Sequence, residues 1–224
     1  MLRRIKELLK LNEKQQTLDG FWENIDWYKF AEWTKSNIPD YMYENENPLD
    51  SFAEAYVEDH DIDLNDLDDN EDYQSWLTGE LAYALEETYR LVDHAVGSSN
   101  PISIYRALRI SGDYLEHLKN QGKHLGIYWT WEESLATDYE GSESSRNSSG
   151  DFYLIETEVP QTNINWRNTL LQNFVSQGES EIQLYKGVPI KIKRMWKAPN
   201  NLTAVPNRKE LEVPEEIKNK VFFA

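Results

Sequence analysis

The sequence predicts an α+β protein, with an acidic helical region over residues 1–98 and a stranded domain over 99–224. Charge points to this division first. The chain has 224 residues and a formal net charge of −17; 24 Asp+Glu and 8 Lys+Arg fall within 1–98, against 16 and 15 beyond it. Such an asymmetry suggests two regions with different jobs. Periodicity points the same way. Apolar residues recur at helical spacing before residue 98, whereas later segments alternate Ile-, Tyr- and Trp-rich runs with short helical patterns. A hydrophobic fraction of 39%, with 8 Trp and 13 Tyr, supplies a sizeable core.

The opening MLRRIKELLKLNEKQQ spaces Leu2, Ile5, Leu8 and Leu9 as a short amphipathic helix. It has no uninterrupted apolar stretch or small-residue cleavage site, so it predicts no secretion signal. GFWENIDWYKFAEWTKS (20–36) reads as one helix, with Phe21, Ile25, Tyr28 and Trp33 near helical spacing. Two prolines and several asparagines make 37–50 a break. Residues 49–60 form a short helix with Asp50 or Ser51 as N-cap. Residues 73–97 form a long amphipathic helix closed by Gly97, and GSSNP (97–101) is a linker.

Past the linker, ISIYRALRI (102–110) reads as a strand, 112–122 as a helix and LGIYWTW (125–131) as a strand. EESLATDYEG (132–141) is a helical turn or two, and 141–150 a polar loop. DFYLIETEVP (151–160) is a strand ended by Pro160, and 179–187 and 188–198 are two strands around Gly187. No run of 18 apolar residues occurs, so no transmembrane helix is expected. The absence of cysteine excludes disulfides, thiolate zinc sites and cysteine nucleophiles, and fits a reducing cytoplasm.

Three segments invite a binding role and have plainer readings. The acidic run at 61–72 spaces its oxygens like an EF-hand loop. However, Asp66 stands where glycine is required, Asp68 where an apolar residue is, and Asp72 where glutamate is, so a solvated loop is expected. The four histidines lack metal-ligand spacing, and no metal is expected; His124 alone is kept as a binding candidate, because it opens the strand carrying Trp129 and Thr130. KGVPIKIKRMWKA puts Lys191 and Lys193 on one strand face near Trp196. That face reads either as a phosphate or RNA-base surface or as the lysine-protected outside of an edge strand.

A different set of pieces stands in a suggestive order. A strand carries Tyr105-Arg106, a second carries Trp129-Thr130-Trp131 before an alanine-bearing helix, and a loop delivers Glu179-Ser180-Glu181 into a third. Over roughly residues 100–198 this resembles the ADP-ribosyltransferase family, in the toxin-like branch whose motifs run Arg, Ser-Thr-Ser, Glu-x-Glu. Trp129 and Trp131 replace both serines, leaving Thr130 as the hydroxyl. GIYWTWEESLATDY is similar to the Gly-x-x-Trp-Thr form of phage and bacterial relatives. Arg109 is the fallback arginine, on the opposite strand face from Arg106.

The resemblance implies a split β-sandwich and transfer of ADP-ribose from NAD, the substrate, to a macromolecular acceptor. Glu-x-Glu favours protein arginine, with nucleic acid as the alternative. It also implies a toxin or phage/host-conflict effector acting in its own or a host's cytoplasm, and leaves room for an inhibitory or antitoxin-like partner.

The residue types suit that chemistry. Arginine grips phosphate oxygens in a planar, bidentate way, which gives Arg106 the pyrophosphate. Breaking the nicotinamide–ribose bond passes through an oxocarbenium-like species. A carboxylate on the ribose 2′-OH binds more strongly as that charge develops, and this is the role expected of Glu181. Glu179 would orient or deprotonate the nucleophile. Tyr128, Trp129 and Trp131 offer faces for nicotinamide. Two rival readings stay open: a non-catalytic acidic interaction protein, such as a nucleic-acid mimic, and an NAD glycohydrolase.

Overall fold

The computed structural model describes residues 16–38, 47–67, 70–110, 116, 118, 124–138, 151–176, 180–198 and 209–224. The opening amphipathic segment, the 141–150 loop, most of the helix expected at 112–122 and Glu179 lie outside these residues.

Asp26 divides what the apolar spacing joins. The segment expected as one helix at 20–36 is two: α1 (Leu18–Asn24) and α2 (Trp27–Lys35). Asp26 is extended and its carboxylate accepts from Lys29 N at 3.2 Å, so it acts as an N-cap in mid-segment. A short polar side chain that satisfies the first turn of a new helix competes with continuing the old one. The break lets Trp22 fold back onto Tyr89, ring centroids 4.0 Å apart, and onto Trp27 at 5.2 Å. In α3 (Asp50–His60) the N-cap is Leu49, without a side-chain bond, rather than Asp50 or Ser51.

Helix α4 (Glu71–Val96) is the long amphipathic helix, started by Asn70, whose Oδ1 accepts from Tyr73 N at 2.9 Å. Tyr73, Leu77, Leu81, Leu85, Tyr89, Val92 and Val96 repeat at three or four residues and are all buried. Gly97, at φ +40, ends it in a conformation that suits glycine. The acidic run ahead of α4 forms a 3-10 turn at Leu64–Asp66, where Asp63 accepts from Asn65 N at 2.9 Å. Among the described residues no helix is long and apolar enough to cross a membrane.

Among the described residues eight strands follow. β1 (Ile102–Ile110) pairs along its whole length with β3 (Asp151–Val159). β2 (Tyr128–Thr130) and β4 (Glu181–Gln183) extend the sheet beyond β1, and β6 (Ile192–Ala198) and β7 (Lys209–Leu211) extend it beyond β3. The order is β4-β2-β1-β3-β6-β7, and every pair is antiparallel. β5 (Pro189–Ile190) and β8 (Phe222–Phe223) form a separate antiparallel pair. The molecule is therefore a mixed helix-and-sheet structure of α+β type.

Alternation gives the large sheet two unlike faces. Ile104, Ile155, Met195 and Ile182 join the main core, which they share with Leu81 and Leu85 of α4 and with Leu170 and Phe174 of α6 (Trp166–Val175). On the other face Leu154 and Trp196 meet Ala136 of the short α5 (Glu133–Asp138). A further short helix, α7 (Glu215–Lys218), buries Ile217. Gln161, 4% exposed, joins the helical half to the sheet. Its Oε1 accepts from Leu18 N at 2.7 Å, and its Nε2 donates to Gly97 O at 3.0 Å and Ser99 O at 2.9 Å.

The basic segment falls on β6. This strand runs between β3 and β7, so the edge-strand reading is corrected: β6 is interior. Two of its cations face acids on β3, and Lys197 lies over the Tyr153 ring. Arg194 pairs with Glu156, and Lys193 lies 2.5 Å from Glu158. Arg194 is also 5.1 Å from the Trp196 ring. The Glu156 carboxylate, itself 1% exposed, raises the Arg194 pKa by holding its charge.

Candidate active site

Among the described residues β4 is the outer strand of the sheet, so one row of its main-chain groups meets no strand there. Helix α6 takes that place. Its N-cap Asn165, which pairs through the main chain, and its Thr169 and Asn173 recur every four residues and so lie on one side of the helix. Asn165 N donates to Gln183 O at 2.8 Å, and Gln183 N donates to Thr169 Oγ1 at 3.0 Å. Asn173 does both jobs one step along: Glu181 N donates to its Oδ1 at 3.1 Å, and its Nδ2 donates to Glu181 O at 2.7 Å.

The register follows. In an antiparallel strand a residue's N–H and C=O point to the same side. Those of Glu181 point to α6, so Glu181 and its partner Thr130 form a non-hydrogen-bonded pair. Such pairs bring Cα atoms to about 4.5 Å rather than about 5.5 Å and set the two side chains side by side. On the far side of β2, Tyr105 pairs with Thr130, and Glu156 and Arg194 follow on β3 and β6. Glu181, Thr130, Tyr105, Glu156 and Arg194 thus form one polar row across five strands on one face.

The approach to Glu181 is tightly built. Ser180 is buried at φ +49, a left-handed conformation that non-glycine residues adopt uncommonly and at some cost. Its Oγ donates to Glu132 Oε1 at 2.7 Å, and its carbonyl accepts from Trp131 N at 3.2 Å. Glu132 N in turn donates to Thr130 Oγ1 at 3.1 Å. Oε1 of Glu181 is shut away from solvent.

Of the residues singled out in the sequence, Thr130 and Glu181 come together. Arg106 follows Tyr105 and so belongs to the opposite face. Its Nη1 donates to Tyr128 O at 2.5 Å, and the guanidinium lies against Gly126, where a Cβ would come within 2.7 Å of Nη1. Trp129 sits in the core, 3% exposed, its indole N–H donating to Gly126 O at 2.9 Å. Tyr128 is 48% exposed. Trp131 is half-buried against a cavity between α4 and α6. His124 is exposed and bridges to Phe223 of β8, with the rings 6.1 Å apart, away from the Thr130–Glu181 pair.

Asn173, Ser180 and Glu132 went unnoticed in the sequence as site residues. The available signal was the polar stripe Asn165, Thr169, Asn173 just upstream of Glu-x-Glu. No family model matches the chain, and neither a curated protein nor a solved structure matches it.

Proposed function

We propose that this protein transfers ADP-ribose from NAD to a macromolecular acceptor, with Glu181 as the residue that acts on the ribose. The observation that supports this reading is convergence. Three segments far apart in the sequence occupy neighbouring strands, with Tyr105, Thr130 and Glu181 in register. On this reading the six-stranded sheet and the β5–β8 pair are the two parts of a split β-sandwich.

NAD supplies the electrophilic ribose carbon and, in nicotinamide, the leaving group. The nicotinamide–ribose bond breaks with its electron pair departing on nicotinamide, and the acceptor's nucleophile forms the new bond to the same carbon. Glu181, fixed by Asn173 and beside Thr130, accepts a hydrogen bond from the ribose 2′-OH, and that bond strengthens as positive charge develops. The nucleophile's proton passes to a base, for which Glu179 is the sequence candidate. Arg106 joins only by releasing the Tyr128 carbonyl, because its strand position turns it from Glu181.

That last observation also favours the second reading, an acidic interaction protein. With Arg106 facing away and Trp129 in the core, two candidate NAD contacts have structural work on the opposite face. Labelled NAD in a host-cell lysate separates the readings. Transfer of label to macromolecules by the wild type, and its loss in Glu181→Gln, supports the transferase. Release of free ADP-ribose alone indicates NAD hydrolysis. Absence of NAD binding rejects both enzymatic readings and leaves the interaction protein.

A further inference from the structure

We infer that the cavity between α4 and α6 binds an organic cation with an apolar body. Its volume is about 510 Å³, within the range of small-molecule sites. Leu91 and Val92 of α4, Phe174 of α6 and Trp131 give it an apolar wall, and Tyr83 stands at its side. Tyr83 and Leu91 are 62% and 72% exposed, two large apolar side chains framing one opening. An apolar surface of this kind, set around a concavity, is characteristic of a contact site.

Charge selects the ligand. The acidic and basic groups lining the cavity are Glu87 and Glu132, and among the described residues no Lys, Arg or His lines it. Glu87 is shared with Arg90 of the same helix, and Glu132 accepts from Ser180 Oγ, so Glu132 is held in place at the wall. A phosphate or carboxylate there would meet the Glu132 carboxylate, while Arg90 beside Glu87 is already engaged by Glu86 and Glu87. A cation gains from the carboxylates and from the faces of Trp131 and Tyr83, while its apolar body fills the wall between them.

Neither Glu181 nor Thr130 lines the cavity, so the site is tested apart from the transfer reading, with which it shares Trp131. It nevertheless touches the structure that holds Glu181, since Asn173 and Ser180 both line it.

The test uses the ¹⁵N-labelled full chain titrated with tryptamine and, separately, with indole-3-acetate, which have a similar indole body and opposite charge. Tryptamine is expected to shift the Asn173 side-chain amide and the Trp131 indole N–H saturably, and indole-3-acetate to leave them in place. Ala84→Trp, which fills the cavity from its half-buried wall, should abolish the response. Glu132→Gln keeps the acceptor for Ser180 and should weaken tryptamine about tenfold, the effect of ~1.4 kcal/mol. The inference is overturned if tryptamine does not bind, if both indoles bind alike, or if tryptamine binds both variants as it binds the wild type. Should circular dichroism show Ala84→Trp unfolded, the Glu132→Gln titration decides alone.

Discussion

Asn173 gives Glu181 both of the main-chain hydrogen bonds that a neighbouring strand would give it. A helix side chain thereby completes a sheet edge at Glu181, one of the two carboxylates for which the sequence suggests a catalytic role. Replacing Asn173 with leucine keeps the volume and removes both partners. Leaving a buried polar group without a partner costs about 1–3 kcal/mol, so a stability loss of that size is expected in denaturant unfolding. Amide exchange should accelerate at Glu181 and change little at Ile182, which pairs with Trp129. Equal acceleration at both residues would mean that α6 holds the strand by packing alone.

Ser180 yields a prediction about order rather than size. Its hydroxyl bond to Glu132 is worth about 0.5–1.5 kcal/mol, and its left-handed backbone costs about 1 kcal/mol relative to glycine. Ser180→Ala loses the bond and keeps the strain, so it should destabilise by about 1 kcal/mol. Ser180→Gly loses the bond and relieves the strain, so it should lie close to the wild type. Thermal midpoints of the three proteins check the order, and alanine at or above glycine contradicts it.

The sequence was most legible where one apolar period dominated. Helix α4 carries a single buried stripe, and β1 and β3 are long apolar runs with clear ends, so all three were expected close to where they lie. Asp26 shows one limit: apolar spacing passes through it unbroken, but a carboxylate that caps the next turn outweighs that continuity. Helix α6 shows another. Trp166, Leu170, Leu171, Phe174 and Val175 are buried around more than one side, and its polar stripe serves β4 instead of solvent, so no amphipathic signal marks it. The pairing of Thr130 with Glu181 depends on that helix. The two motifs were therefore readable, whereas the residues that hold them in register were not.

Gln161 should be the most sensitive polar residue at the join between the helical half and the sheet. Gln161→Leu strands the Leu18 N–H and the Gly97 and Ser99 carbonyls together. Losing these partners at a buried position should cost on the order of 3 kcal/mol. For a chain of this size that is a drop of roughly 6–12 °C in thermal midpoint. Gln161→Glu keeps the acceptor for Leu18 and turns a donor into a repelling oxygen at the two carbonyls, so it should be no better than leucine at neutral pH. A shift below 2 °C for both variants would move the join elsewhere.

Tyr89 predicts an alkaline limit to stability. Its phenol is pushed up to about 12, first by burial and then by the carboxylates of Asp93, Asp19 and Glu23. The ordinary value is about 10, so the folded protein holds this proton more tightly than the unfolded chain. Between pH 10 and 12 the folded state therefore binds more protons than the unfolded one, and stability falls as pH rises through that window. The contribution is fully present below pH 10. Tyr89→Phe keeps the ring against Trp22 and removes the titrating group, so it should flatten this part of the pH profile. Denaturant midpoints measured across the window test it. A wild-type profile as flat as that of Tyr89→Phe would show that the phenolate is solvated in the folded protein, and that α1 does not close over Tyr89 as the Trp22 stacking requires.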